Sequence, residues 1–226
     1  MSSLNRLKSE EEKSTPTTGF LTSNDIDGLQ AETAEKKEPL FDPYDLYPRD
    51  GTMYDMRLGT EVYVSDKKVP TYLTDADPFV VIKPGEFALL TTLEYLRLPA
   101  DIIGLLSLKF TWASRGLVNI SGFHVDPGYT GRIIFSVQNG GPNEVVLKFK
   151  ERVFMIMLYR LHRSVKPHLN NFDMIPPSMI ASVRGPPISL RHLDKRLLRV
   201  EGRLTLVWTL FVSILGAVIV LFLTHR

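Results

Sequence analysis

The amino-acid sequence predicts an all-β domain followed by one transmembrane helix. Two observations lead to this prediction: short apolar runs broken by turn residues fill the middle of the chain, and a 20-residue run without charge or proline lies near its end. The chain has 226 residues, of which 44% are apolar and 23% are charged. This is enough for one globular domain with appendages.

The composition excludes several classes of function. Twenty-seven Lys and Arg against 25 Asp and Glu give a net charge of +2, which leaves no basic field for a duplex, so no nucleic acid is expected as a partner. The chain has no cysteine, which rules out disulfides, a Cys nucleophile and a Cys-bound metal. Its five histidines lack metal-ligand spacing, so no metal site is predicted.

Residues 1–38 are predicted to be a disordered polar tail. They contain five basic and eight acidic residues and a single aromatic residue, Phe20. Such a composition buries too little apolar surface to offset the entropy lost on ordering. The apolar run of a signal peptide is not found after Arg6 and Lys8.

Residues 39–165 are predicted to form the β domain. Phe79–Ile82 and Phe87–Leu93 are typical of two strands joined by a tight turn at Lys83-Pro84-Gly85. Runs rich in Val, Ile, Phe and Met predict further strands at Leu117–Ile120, Arg132–Gln138, Glu144–Phe149 and Arg152–Leu161. Short strands at regular spacing, without a helical period, indicate a sandwich, jelly roll or barrel.

Two segments connect this domain to the apolar run. Residues 166–188 contain five prolines and are predicted to be an extended linker. Residues 189–203 are predicted to form an amphipathic helix, with apolar residues three and four apart at Leu190, Leu193, Leu197, Val200 and Leu204. This spacing is typical of a heptad seam in an oligomeric stalk, but a helix lying on lipid headgroups fits so short a segment equally well.

Residues 204–223 are predicted to be a transmembrane helix. Twenty helical residues extend about 30 Å, which matches the hydrocarbon core of a bilayer. Four basic residues precede the run, namely Lys195, Arg196, Arg199 and Arg203. Arg226 follows it. The positive-inside rule places the preceding residues in the cytoplasm. The sequence therefore predicts a single-pass, tail-anchored membrane protein whose β domain is cytoplasmic.

Four motifs in the β region resemble those of the dCTP deaminase and dUTPase superfamily. They stand in the order and near the spacing found there: Asp55–Gly59, Phe79–Leu89, Leu98–Asp101 and Val125–Ile133. The resemblance implies a distorted jelly roll that assembles as a homotrimer, with sites for pyrimidine deoxynucleotides at the subunit boundaries. It covers about half of the chain and neither end.

The resemblance implies sugar and base contacts in the last motif and in the hairpin before it. Asp126 corresponds to the residue that orients the attacking water and contacts the 3′-hydroxyl, which makes it the catalytic residue if the chain is active. Tyr129 corresponds to the ring packed on the sugar, which leaves no room for a 2′-hydroxyl. Gly122, Phe123 and His124 belong to the hairpin whose backbone reads the pyrimidine edge, and Gly122 permits close approach. Taken alone, Asp126 also fits a turn residue and Tyr129 a core aromatic.

The implied phosphate contacts depart from the superfamily pattern. The motif Arg-Ser-Ser-x-x-Arg aligns with Lys109–Ser114, where Phe110 replaces a serine and Arg115 stands one place late. With a one-residue shift, the candidate phosphate-binding residues are Lys109, Thr111, Ser114 and Arg115. Arg152 is a further candidate, from a motif in which Met155 replaces a glutamine.

Turnover is expected to be low. Deaminases of the superfamily use a Glu as a base in the strand that continues from the Val125–Ile133 motif. This chain has Ser136 at that position, and a hydroxyl cannot serve as that base at neutral pH. The glycine-rich C-terminal lid of dUTPases has no counterpart in the sequence. We therefore expect water to be excluded less completely and the phosphates to be aligned less well than in dUTPases. If the chain is active, hydrolysis of dUTP is therefore favoured over deamination of dCTP.

The sequence thus predicts a membrane-tethered, homotrimeric β domain that binds a pyrimidine deoxynucleotide or a related nucleotide. Little or no turnover is expected, and the predicted role is that of a nucleotide sensor. An active membrane-tethered dUTPase or dCTP deaminase is one alternative, and a non-binding trimeric membrane scaffold is the other. No cofactor is predicted, apart from Mg²⁺ that accompanies the nucleotide.

Overall fold

A computed structural model describes residues 18–46, 51–167, 171–185 and 190–224. The chain divides into two units, the first extending to Pro186 and the second beginning at Pro187. Strands dominate the first unit, whereas the described part of the second is a single helix.

The first unit is mostly β. Its described residues include twelve strands: β1 (Gly19–Phe20), β2 (Phe41–Asp42), β3 (Met53–Val64), β4 (Thr71–Tyr72), β5 (Phe79–Ile82), β6 (Phe87–Arg97), β7 (Ile102–Leu108), β8 (Leu117–Asn119), β9 (His124–Val125), β10 (Thr130–Asn139), β11 (Val145–Lys148) and β12 (Arg152–Arg160). The helices are α1 (Ser23–Glu35), α2 (Phe110–Ala113) and α3 (Pro177–Val183), with α4 (Leu190–Thr224) in the second unit.

Ten of these strands form one antiparallel sheet. Its main path runs β8-β10-β6-β3-β12-β7-β9, while β1 pairs with β12, β2 with β6 and β4 with β3. The remaining strands, β11 and β5, form a separate antiparallel pair. The prediction of an all-β domain is therefore confirmed.

Alternation of side chains along the strands builds the core. In β10, every second residue from Gly131 to Asn139 is buried, as expected when one face of a strand packs inward. Phe135 of β10 stacks on Phe154 of β12, with ring centroids 4.0 Å apart and planes at 11°. Each such buried ring contributes about 1.5–3 kcal/mol by removing apolar surface from water.

The two strands predicted on either side of Lys83-Pro84-Gly85, and the tight turn that joins them, are present as β5, β6 and the turn between them. The Glu86 N–H donates to the Lys83 carbonyl at 3.0 Å and closes the turn. However, β5 pairs with β11, whereas β6 pairs with β10, β3 and β2. Two apolar runs that flank a turn cannot be distinguished by pattern from two strands that enter different sheets.

The N-terminal region differs from the predicted tail. Residues 1–17 lie outside the described residues, but β1 and α1 occupy most of residues 18–38. Ile26 is fully buried, and the side-chain amide of Gln30 both donates to and accepts from the backbone of Phe41. Averaging composition over 38 residues hid this pattern, because a few buried side chains suffice to dock a helix. The β domain therefore begins before residue 39.

The predicted linker, residues 166–188, also differs in its described part. Residues 171–185 contain α3 and pack on the β domain, where Ile175 is buried with Tyr63 and Leu89. Pro177 is the first residue of α3, a position where the missing N–H costs no hydrogen bond. Proline content therefore did not imply an extended chain here. Residues 168–170 and 186–188 lie outside the described residues.

α4 joins the predicted stalk and the predicted transmembrane segment in one helix. Its 35 residues extend about 52 Å at 1.5 Å per residue. Within it, Leu197–Val218 is long and apolar enough to cross a membrane, with a mean hydropathy of 1.4. Residue 189, where the stalk was predicted to begin, lies outside the described residues. The oligomeric stalk and the helix on the headgroups both stay predictions.

Candidate functional site

A cavity of about 180 Å³ lies beside β9 and β10. Its walls come from β7, the loop between β8 and β9, β9 and the turn after it, β10 and the segment around α3. They are formed by Leu106, Ser121, Gly122, His124, Val125, Asp126, Tyr129, Ile133, Ile134, Phe172 and Met179. The structure thus brings together four of the predicted site residues, namely Gly122, His124, Asp126 and Tyr129.

The turn from Asp126 to Tyr129 positions two of them. The Tyr129 N–H donates to the Asp126 carbonyl at 3.2 Å, and Gly128 between them has a φ of +79°. A side chain would be strained in this conformation, and a Cβ at Gly128 would also come within 2.5 Å of a neighbouring proline. The Leu98 N–H donates to the Tyr129 carbonyl at 2.8 Å, and the Gly128 N–H donates to the Pro99 carbonyl at 3.2 Å. These bonds tie the turn to the start of the Leu98–Asp101 motif.

Asp126 and His124 face each other beside the cavity. Their side chains are 49% and 43% exposed, and His124 Nε2 lies 3.5 Å from Asp126 Oδ1. This distance permits an ion pair when the imidazole is protonated. A half-exposed carboxylate can also accept a hydrogen bond from a ligand hydroxyl or from water, which the role predicted for Asp126 requires.

Tyr129 forms a buried wall of the cavity. It is only 9% exposed, and its hydroxyl donates to the Arg132 carbonyl at 2.5 Å. Burial raises the pKa of Tyr129 to about 12, so the hydroxyl remains a donor at neutral pH. Tyr129 is therefore part of the core and part of the cavity lining at once.

The loop between β8 and β9 presents backbone to the cavity. The Leu106 N–H donates to the Phe123 carbonyl at 2.7 Å, and the Ser121 N–H donates to the Ser136 carbonyl at 3.2 Å. A Cβ at Gly122 would meet no atom within 4 Å, so the backbone faces open space there. Phe123 is 68% exposed and lies outside the cavity lining.

Two of the predicted phosphate-binding cations are engaged by carboxylates. Lys109 Nζ bonds to the carboxylate of Asp55, and Arg152 donates from Nε and Nη2 to Asp45 Oδ2 at 3.0 and 2.7 Å. Neither cation belongs to the cavity lining. A phosphate near either group would have to compete with a charge-assisted hydrogen bond that is already made.

The other predicted phosphate ligands lie on or just after α2 with exposed side chains. The Arg115 guanidinium stacks 4.7 Å above the ring of Trp112, and Ser114 Oγ donates to the Thr111 carbonyl at 3.2 Å. None of Thr111, Ser114 and Arg115 is among the cavity-lining residues. A single chain therefore does not bring the predicted phosphate contacts next to the predicted sugar contacts, and their role stays a prediction.

Sequence reasoning missed Phe172 and Met179, which line the cavity from the segment predicted to be a linker. The Phe172 carbonyl accepts the Arg132 N–H at 2.7 Å. The available signal was the apolar spacing of Ile175, Met179 and Ile180 among the prolines. The other lining residues that were not among the predicted site residues are Leu106, Ser121, Val125, Ile133 and Ile134.

Within the described ranges, no group of three or more His, Asp or Glu side chains could hold a metal ion. The presence of Mg²⁺ with the nucleotide stays a prediction.

Comparison with known proteins gives matches in the β domain. The family described as dCTP deaminase-like matches residues 20–161. The chain is similar to the dCTP deaminase of Pyrococcus abyssi, with 33% identity over 139 residues, which cover 61% of this chain and 88% of that protein. It is also similar to the dCTP deaminase of Pyrobaculum calidifontis, with 39% identity over 118 residues, which cover 47% of this chain and 66% of that protein.

Among solved structures, the fold is similar to that of the 2′-deoxycytidine 5′-triphosphate deaminase from Agrobacterium tumefaciens. The TM-score is 0.53 at 17% sequence identity, and the match covers 64% of this chain and 50% of that one. At this identity the likeness shows the fold alone.

Proposed function

The chain belongs to the dCTP deaminase-like family, and on that premise we propose that its β domain binds a pyrimidine deoxynucleotide in the cavity beside β9 and β10. Binding is followed by little or no turnover, and the protein acts as a membrane-anchored nucleotide sensor. The observation that carries this proposal is that Gly122, Asp126 and Tyr129 line one cavity.

Tyr129 supports a preference for deoxyribose. The hydrogen bond from its hydroxyl to the Arg132 carbonyl holds the ring in the cavity wall. A ring fixed in this way cannot withdraw to admit a 2′-hydroxyl on a sugar packed against it. Asp126, which is half exposed beside the ring, accepts a hydrogen bond from the 3′-hydroxyl of the same sugar.

The size of the cavity supports a site shared between copies of the chain. Its volume of about 180 Å³ is below the roughly 300–1,000 Å³ of typical small-molecule pockets. One chain therefore encloses a base and sugar at most, and the phosphates extend beyond it. In the proposed homotrimer, the α2 region of a neighbouring copy supplies the phosphate contacts, chiefly through Arg115.

Two features support low turnover: Ser136 stands where deaminases have a catalytic Glu, and two predicted phosphate-binding cations are paired with carboxylates. Ser136 stands in β10, where its carbonyl accepts the N–H groups of Ile120 and Ser121 at 2.8 and 3.2 Å. Its hydroxyl cannot take a proton from water at neutral pH as a carboxylate can. Lys109 and Arg152 are each neutralised by a carboxylate, which weakens alignment of a triphosphate for transfer.

α4 supports the proposed membrane attachment. Leu197–Val218 is long and apolar enough to cross a bilayer, and the basic residues before residue 204 support a cytoplasmic β domain by the positive-inside rule. A sensor attached in this way detects a soluble nucleotide and responds at the membrane.

A second candidate function is deamination of dCTP, and the names of the relatives favour it. The proteins from Pyrococcus abyssi and Pyrobaculum calidifontis are both dCTP deaminases. In that case a group other than Ser136 acts as the general base. His124, which lines the cavity beside Asp126, is the candidate for this role.

Calorimetry on the full chain in detergent tests the proposal. We expect dCTP or dUTP to bind at least about tenfold more tightly than CTP or UTP, which corresponds to about 1.4 kcal/mol. Asp126→Asn and Tyr129→Ala should each weaken binding about tenfold or remove the deoxyribose preference. Asp75→Asn is the matched control, because Asp75 is an exposed carboxylate paired with Lys150 outside the cavity lining.

Product release in the same samples separates the candidates. Ammonia from dCTP at about 1 s⁻¹ or faster, within the usual range for enzymes, and lost in Asp126→Asn, would identify a deaminase. Pyrophosphate from dUTP at such a rate would identify a dUTPase. Absence of binding by all four nucleotides to a correctly folded chain would leave the scaffold alternative.

A further inference from the structure

Residues 171–185, here named the strap, connect the β domain to α4. Four hydrogen bonds between described residues attach the strap to the β domain. The Thr130 N–H donates to Asn171 Oδ1 at 3.3 Å, and the Gly185 N–H at the end of the strap donates to the Ser65 carbonyl at 3.2 Å. The Arg132 N–H of β10 donates to the Phe172 carbonyl at 2.7 Å, and the Ile175 N–H donates to the carboxylate of Glu61 in β3 at 2.7 Å. The strap is therefore docked on β3 and on β10, and β10 also lines the cavity.

This docking depends on a small number of contacts. Ile175 is the only buried side chain of the strap, and it packs against Tyr63 and Leu89. Three partly buried strap side chains pack against the same cluster: Met179, Ile180 and Val183. The other strap residues are partly buried or exposed. A segment with few buried apolar contacts opens at a lower free-energy cost than the core does.

The strap also forms part of the cavity wall. Phe172 and Met179 line the cavity together with Tyr129 and Ile134. Phe172 lies so close to β10 that a Cβ at Gly131 would come within 2.6 Å of the Phe172 carbonyl oxygen. Any molecule in the cavity therefore contacts both the sheet and the strap.

The strap is close in sequence to the membrane helix. Four residues, 186–189, separate its last residue from the start of α4. The stretch of chain that closes the cavity thus leads almost directly into the segment that can cross a membrane.

We infer that the strap transmits occupancy of the cavity to α4. The inference rests on the proposed function, since it takes the occupant to be a pyrimidine deoxynucleotide. A ligand that contacts Phe172 and Met179 binds the docked strap better than the undocked strap, and so shifts the population toward the docked state. Docking then restrains the chain up to Gly185, which is separated from the start of α4 by four residues.

The absence of cysteine makes this coupling measurable with a single introduced label. Arg199→Cys places an environment-sensitive fluorophore at an exposed position near the start of the apolar part of α4. The full chain is reconstituted in lipid nanodiscs and titrated with dCTP or dUTP. Hydrogen exchange of the strap is followed in the same samples.

Ile175→Asp is the main variant, because it places a carboxylate in the buried site beside Glu61 and undocks the strap. Ile175 does not line the cavity. Glu61→Ala is a second, milder variant, which removes the acceptor of the Ile175 N–H. Tyr72→Phe is its matched control, since it removes only the hydrogen bond that the other oxygen of Glu61 accepts.

In the otherwise unmodified chain we expect nucleotide to slow exchange of residues 171–185 at least about threefold and to change the fluorescence of the label. At saturating nucleotide, Ile175→Asp and Glu61→Ala should bind nucleotide but lose most of the fluorescence change, whereas Tyr72→Phe should keep it.

The inference is overturned if nucleotide binds without a change at the label, or if both undocked variants keep the full change. Should Ile175→Asp not fold, as judged by circular dichroism, Glu61→Ala against Tyr72→Phe decides. A chain that binds no nucleotide overturns the proposed function as well.

Discussion

Glu94 shows how one buried residue stabilises the Asp55–Gly59 motif, which contains its partner Arg57. Its side chain is 0% exposed and accepts two hydrogen bonds from Arg57. The Arg57 N–H donates to Oε2 at 2.9 Å, and the guanidinium Nε donates to Oε1 at 2.7 Å. Burial nonetheless raises the pKa of Glu94 above its ordinary value of 4.5, because the loss of water outweighs the attraction to Arg57.

At the residue scale, this geometry predicts costs of different size for two substitutions of Glu94. Glu94→Ala leaves the Arg57 guanidinium without its carboxylate partner and should lower the free energy of unfolding by about 3–5 kcal/mol. Glu94→Gln keeps one of the two acceptor oxygens, so its cost should be smaller than that of Glu94→Ala. Urea unfolding followed by circular dichroism measures both. Glu32→Gln, in the exposed pair with Lys36, is the control, and its effect should stay within about 1 kcal/mol.

The same measurement at several pH values tests the raised pKa of Glu94. Its stabilising contribution should be complete below pH 4.5, the ordinary value, and should be lost as the pH rises through the higher folded-state value. The chain with Glu94 should therefore gain stability relative to Glu94→Gln as the pH is lowered from about 7 to 4.5. An unchanged difference over this interval would contradict the raised pKa.

At the element scale, α1 owes its start to a capping box. The Asp25 N–H donates to Thr22 Oγ1 at 3.3 Å, and the Thr22 N–H donates to Asp25 Oδ2 at 2.8 Å. Thr22→Ala should destabilise the chain by about 0.5–2 kcal/mol, measured as faster hydrogen exchange in α1. Asn24→Ala, at an exposed position outside the capping box, should have less effect. Equal effects of the two substitutions would show that the cap does not stabilise α1.

Asp25 gives this cap a dependence on pH. The side-chain hydrogen bond with Thr22 is the main cause that lowers the pKa of Asp25 below 3.8. The corresponding stability is present above pH 3.8 and is lost as the pH falls through the lower folded-state pKa. The difference between the unmodified chain and Thr22→Ala should therefore shrink in strong acid.

The same elements show what could be predicted from sequence. Strand positions such as β5, β10 and β12 follow from apolar runs between turn residues, because alternation and turn chemistry are local properties. The pairing of β5 with β11 depends on long-range packing and could not be predicted. α1 and α3 were missed because charge and proline content describe a whole segment, whereas their docking depends on single residues such as Ile26 and Ile175.

The candidate site shows the same contrast between local and long-range features. Asp126 and Tyr129 could be predicted to lie together because a short motif fixes the turn that contains them. The predicted ligands Lys109 and Arg152 come from motifs that depart from the superfamily pattern, and the carboxylates that engage them, Asp55 and Asp45, are distant in sequence. Such partners become visible only when the strands are assembled.

At the scale of the whole molecule, the division into two units predicts that α4 alone accounts for membrane binding. The β domain has its own buried core within the first unit, whereas Leu197–Val218 has the length and hydropathy for a bilayer. A chain ending at residue 189 should therefore remain folded and stay in the aqueous fraction when floated with phosphatidylcholine vesicles, and the full chain should float with them. A matched control replaces Leu210 and Ile214 with Arg in the full chain. Each Arg at the centre of a membrane helix costs about 2.5–3.5 kcal/mol, so this variant should lose most of its flotation. Flotation of the truncated chain would show that the β domain itself binds lipid and would remove the reason to treat α4 as the anchor.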